Sequence, residues 1–285
     1  MKSIRTFAFL ALASVCVAAT PQEIKLTRVL KEGTTDVYLV TTKTKQDMDI
    51  PQLGAQDMTL DSTMKLSFKY GKVADGKQDI DMIMSDFKMT AGGTLGAMIG
   101  DQMAGMLPKE LKMTAKMDER GGITDSKTDK MDPMAAMMLN SQQMANSMMM
   151  VVFPEKAVKI GDTWTMPIPD NKTAGIKGAT MTAKLVGEST VDEVACYEIS
   201  MDGTIPMKMN MADIAGDTGG AASQIPADMS ISGKIMNKAT AFVEKGTGRL
   251  ISFKGVLKSD QNMDMGGQGS AKVTGDTTIS LKLQK

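Results

Sequence analysis

Met207, Met209 and Met211 recur at every second position, a spacing that points three thioethers the same way on a β-strand. Soft sulfur ligands select Cu(I), so this run is a candidate metal site. Two carboxylate pairs share the spacing: Asp47 with Asp49, and Asp79 with Asp81. Paired carboxylates can divide acid and base work, as in glycoside hydrolysis. Alternation nevertheless sets each pair on the polar face of its strand, which favours plain solvation. Cys196 lies in the strand-like run Val194–Ile199 and would need a basic partner to act as a nucleophile. The chain contains no histidine to supply one. That absence also removes the commonest general acid/base and the commonest metal ligand. No G-x-S-x-G, H-E-x-x-H, P-loop or strand-following G-x-G-x-x-G motif occurs. No enzymatic activity and no cofactor are therefore expected.

The chain has thirty methionines in 285 residues. They are spread along its whole length, which favours an apolar core in which Met stands in for Leu and Ile over a copper site. Unbranched, polarizable Met also lines grooves that accept apolar ligands of varied shape.

The elements that would position these residues are mostly strands. Met58, Leu60, Met64, Leu66, Phe68 and Tyr70 alternate with polar residues, Ser62 being the one lapse. A Gly-rich turn region from Gly71 to Gly76 leads to Ile80, Met82 and Met84. Leu111, Met113, Ala115 and Met117 alternate again before Gly121 and Gly122. Beyond Trp164 the pattern resumes at Met181–Val186, Ala195–Met201, Ile205–Met211, Met229–Val243, Leu250–Leu257 and Ile279–Leu283. Short strands joined by turn residues predict antiparallel pairing in a strongly curved, unclosed barrel-like sheet.

Two segments break the period and predict short helices packed on that sheet. Leu95, Met98, Ile99, Gln102, Met103 and Met106 are spaced for one helical face ending before Pro108. In the second, Asp132 can cap and Pro133 suits the first turn. Met134, Met137, Met138, Met144 and Met148 then form a stripe opposite Asn140, Gln143 and Asn146. No charged residue occurs from Pro133 to Pro154, so this helix is expected to be covered. The five stripe methionines and Trp164 are the candidate lining of a hydrophobic groove.

Residues 1–19 read as a secretory signal. Lys2 and Arg5 precede the apolar run Phe7–Val17, and small residues place a cut after Ala19. The apolar run is too short to cross a bilayer, which takes ~20 residues. Removing 19 of 285 residues leaves 266, with Cys196 the sole cysteine and no internal disulfide. The 33 basic residues less Lys2 and Arg5 become 31 against 33 acids, a net charge of −2. No long block of one sign appears, which argues against nucleic acid as a partner. Residues 20–285 are expected to form a single β-rich unit. Two sheet-forming halves, 20–130 and 159–285, would be bridged by the helix near 133–150. A weak echo supports the halves: Lys31-Glu32-Gly33 and Lys159-Ile160-Gly161 each open a series of strands.

The most distinctive string runs Phe153-Pro154-Glu155-Lys156-Ala157-Val158-Lys159-Ile160-Gly161-Asp162-Thr163-Trp164. It resembles the FPxKxVKxGDxW stretch of uncharacterised exported bacterial proteins of unknown function, a resemblance that brings no activity or functional residue with it. At fold level the strand pattern also resembles periplasmic lipoprotein carriers with an unclosed β-barrel. The resulting expectation is an exported, non-enzymatic protein that binds or carries an apolar ligand such as a lipid or lipidated partner. The alternative is a structural or envelope-interaction protein with a closed Met-rich core. A Met-based Cu(I) binder comes third. The sequence assigns no oligomeric state.

Overall fold

The computed structural model describes residues 22–51, 53–105, 108–128, 149–171, 175–210 and 229–285. The first half forms strands β1 (Thr35–Ile50), β2 (Gly54–Ala74), β3 (Lys77–Gly92), β4 (Glu110–Asp118) and β5 (Ile123–Thr128); β2, β3 and β4 hold the expected alternating runs, whereas β1 and β5 were not expected. After these come β6 (Thr163–Pro167), β7 (Thr180–Val191), β8 (Val194–Asn210), β9 (Ser230–Glu244), β10 (Leu250–Asp264) and β11 (Ser270–Leu283). Among the described residues these strands form one antiparallel sheet in the order β5-β4-β3-β2-β1-β11-β10-β9-β8-β7-β6. The chain steps outwards from β1 to β5, reappears at the opposite edge as β6, and steps back to β11. The first and last strands meet mid-sheet, with Tyr38 opposite Leu283 and Asp49 opposite Lys272. β5 and β6 remain as the free edges. The sheet curves enough for its inward faces to share one core, yet it does not close.

Methionine builds much of that core. Met64, Met82, Met84, Met117, Met149, Met166, Met181, Met201 and Met207 are all buried, beside Ile80, Leu185, Ile199, Ile205 and Phe253. Outward positions on the same strands are mostly charged or polar, as the period of two requires. Tight hairpins at Asp75-Gly76 and Asp192-Glu193 take positive φ at both central residues. That geometry matches the right-handed strand twist.

Two strand boundaries differ from the sequence expectation. β2 runs through the Gly-rich stretch to Ala74, and only Asp75-Gly76 turns; Gly71 coincides with a register shift between Tyr70 and Val73. The stretches Ala195–Met201 and Ile205–Met211 join into one strand, β8, despite Pro206. Pairing with β7 stops at Asp202. Beyond it β8 has no β7 partner, and a residue without an N–H is tolerated there.

Helix α1 (Gly93–Gly105) fills the first expected helical stretch and packs on β2 and β3. A Cβ added at Gly100 would lie 3.1 Å from the Ala91 Cβ, so the glycines that weaken helix propensity permit this close approach. The Asp57 carboxylate accepts from the Thr94 N–H (3.1 Å) and hydroxyl (3.0 Å), tying the start of α1 to β2. These bonds hold the Asp57 carboxyl below its ordinary pKa of 3.8. A depressed folded-state pKa stabilises the fold above that ordinary value and loses its effect as pH falls through the lowered one. Amide exchange at Thr94 is accordingly expected to accelerate in acid, and Asp57→Asn to flatten that dependence. The second expected helix lies outside the described residues except for Met149 and Met150. Among the described residues no helix is long and apolar enough to cross a membrane.

Two extended segments cover one end of the sheet. Ile24 bridges to Val158, the Arg28 N–H donates to the Glu119 carbonyl (2.7 Å), and the Val29 N–H to the Thr247 carbonyl (2.8 Å). The Phe153 N–H donates to the Arg120 carbonyl (2.8 Å). Gly33 (φ +72°) and Gly161 (φ +98°) each stand two residues before a strand, β1 and β6, so the echoed tripeptides occupy matching places.

Candidate functional site

The free edges and residues 149–152 border a cavity of about 450 Å³. The sheet register explains its wall. Leu66 stands opposite Met84 and Phe68 opposite Met82, two cross-strand pairs on the inward face of β2 and β3. Met113 from β4, Met166 from β6 and Met181 from β7 extend the lining, and Met149, Met150 and Val152 cross from one edge towards the other. Ile123, Thr124 and Ser126 supply the β5 rim, and Pro167 to Asn171 the rim beyond β6. An unclosed sheet leaves room here that pairing of β5 with β6 would remove.

One part of the lining is polar. Tyr38 and Tyr70 flank Phe68, which meets the first edge-on at 5.8 Å and stacks on the second at 6.4 Å. The Tyr38 hydroxyl donates to the Leu250 carbonyl (3.0 Å) and the Tyr70 hydroxyl to Asp36 Oδ2 (2.9 Å). Burial pushes both phenols well above their ordinary range. Asp36 adds to the rise and Arg28 opposes it, so both phenols stay protonated donors. Arg28 also lines the cavity and is itself only 9% exposed.

The remaining ionisable lining groups have structural partners. Asp118 Oδ1 accepts the N–H groups of Arg120 (2.9 Å) and Gly122 (2.7 Å). Arg120 donates to the Phe153 carbonyl (2.8 Å) and pairs with Glu155 (2.8 Å). Asp170 Oδ1 accepts the Gly178 N–H (2.7 Å).

Of the groove residues expected from sequence, Met134, Met137, Met138, Met144 and Met148 lie outside the described residues. Trp164 is half-buried and flanks the cavity without lining it. Its indole N–H donates to the Val152 carbonyl (2.8 Å), fixing the segment that does form the wall. Of the candidate copper run, Met207 is buried with Gln261 Nε2 at 3.4 Å from its sulfur, Met209 is half-buried, and Met211 lies outside the described residues. Asp47, Asp49 and Asp79 are exposed, and Asp81 pairs with Lys112 at 3.2 Å. Cys196 is buried, which pushes its thiol up and away from nucleophilic use.

Sequence reasoning passed over Arg28. Its signal was the alternation of Leu26, Arg28 and Leu30, which puts a charge on the apolar side of an extended segment.

Residues 111–250 match a family of unknown function, DUF6263. That span takes in the Phe153–Trp164 string and both free edges. No curated protein matches the chain. Among solved structures, a lipovitellin described for its lipid–protein interactions is similar at 10% identity and a TM-score of 0.46, over 90% of this chain and 26% of its own. The chain thus spans about a quarter of that protein's length. DynF, from the dynemicin biosynthesis pathway of Micromonospora chersina, gives 10% identity and a TM-score of 0.23 over 98% of this chain and 92% of its own. A candidate outer membrane lipoprotein-sorting domain from Vibrio parahaemolyticus gives 8% identity and 0.14 over 87% and 86%. With TM-scores this low, none of these structures says what this chain binds.

Proposed function

We propose that this chain is an exported, non-enzymatic protein that binds or carries an apolar ligand in the cavity between its free edges. The observation that carries the reading is the Met-lined space of about 450 Å³, inside the ~300–1,000 Å³ range of small-molecule pockets. Methionine suits such a wall because it repacks around chains of different shape at little cost. Export rests on the signal-like residues 1–19, with cleavage after Ala19.

Titration of the native protein with an apolar fluorescent probe is expected to show one saturable site. Met113 is half-buried on the cavity wall, so Met113→Trp should fill the space and remove probe binding while the thermal transition persists. Were the site already filled, the same change would overpack it at roughly 1–3 kcal/mol, with no probe binding to lose. A wild-type protein that takes up no probe would end this reading in favour of a structural role with a closed core.

A further inference from the structure

Arg28 is placed where an arginine is hard to explain by packing alone. It is nine-tenths buried and lines a mainly apolar cavity. Its Nε is buried without a hydrogen-bond partner, and among the described residues its guanidinium enters no ion pair. The nearby acid is engaged elsewhere: Asp36 Oδ2 takes the Tyr70 hydroxyl at 2.9 Å, and Oδ1 faces Arg249 at 3.7 Å. Asp118 gives its Oδ1 to two backbone N–H groups and, among the described residues, forms no ion pair with Arg28. A buried cation lacking an anion is strongly unfavourable unless something pairs with it. The Tyr70 hydroxyl, held protonated by burial, accepts a hydrogen bond from the guanidinium, and that neutral partner leaves its charge unpaired.

We propose, resting on the apolar-ligand reading, that the cavity takes a single-chain amphiphile ending in a carboxylate, and that Arg28 receives that carboxylate. A planar guanidinium matches a carboxylate through two parallel N–H···O bonds. The Tyr38 and Tyr70 phenols line the same polar end, and the Met82, Met84, Met113 and Met166 side chains surround the hydrocarbon. A cavity at the small end of the ~300–1,000 Å³ pocket range suits one chain better than two.

The test displaces a bound apolar probe from the full-length protein at pH 8 with hexadecanoic acid and, separately, with its methyl ester. The acid is expected to bind about tenfold more tightly or better, since only it offers a charge-assisted partner. Arg28→Met should bring acid and ester to within a few-fold of each other, chiefly by weakening the acid and sparing the ester. A merely structural arginine would weaken both alike, and that outcome overturns the proposal. Should Arg28→Met not fold, the wild-type pair still decides. Equal affinity for acid and ester overturns the carboxylate assignment and leaves apolar binding standing. Binding of neither removes both.

Discussion

Replacing Met201 with aspartate is expected to abolish folding, while leucine at the same place is tolerated. Met201 is 1% exposed on β8, opposite Ala183 of β7 and Ala239 of β9. A carboxylate there loses its water and gains no cation, a penalty of several kcal/mol. That is a large part of the ~5–15 kcal/mol by which domains are stable. Leucine nearly conserves volume and should cost under ~1.5 kcal/mol. Urea titration followed by circular dichroism separates the two. An aspartate variant with a wild-type transition would mean that β8 does not face a core at all.

Gly248→Ala is expected to undo the cover on one end of the sheet. Gly248 sits at φ +67°, and an added Cβ would lie 2.3 Å from the Thr27 carbonyl oxygen and 2.9 Å from the Phe153 ring. The left-handed backbone alone costs a non-glycine residue ~1–3 kcal/mol. The clash adds to this by pushing out the segment that buries Leu26 and Arg28. Limited proteolysis should therefore cut near residues 22–33 far sooner than in the wild type, together with a lower Tm. Unchanged cleavage would show that this segment is not packed as described.

The parts of this molecule written in local periodicity were legible in its sequence. Met64, Leu66 and Phe68 alternate because one face of β2 is buried, and that signal needs no knowledge of neighbouring strands. α1 was legible for the same reason, with a period of 3.6 in place of two. The cavity was not. An inward-facing Met82 reads the same whether it meets another side chain or an empty space, since that depends on whether β5 and β6 pair. Arg28 was hidden differently. Its burial comes from the 119–122 and 245–249 turns, which lie far along the chain. The expected break in β8 fell at Asp202-Gly203-Thr204, where the apolar alternation lapses, and pairing with β9 carries the strand through it. Trp164, expected on the groove lining, instead serves the site through one hydrogen bond to Val152.

The meeting of β1 with β11 bears on how the chain reaches this state. Apart from that one seam, strand neighbours in space are neighbours in sequence. Each stack can therefore grow by closures much shorter than the seam's, the longest being the connections from β3 to β4 and from β8 to β9, so less entropy is lost at each step. The seam joins Tyr38 to Leu283, residues 245 positions apart. No short loop assists it, so it forms after the stacks it unites and sets the pace of folding. Until it forms, β1 and β11 are unpaired edges of two incomplete sheets, open to pairing between molecules. Refolding yield should thus fall with protein concentration, and the vulnerable surface is the seam at the middle of the finished sheet, not its two outer strands.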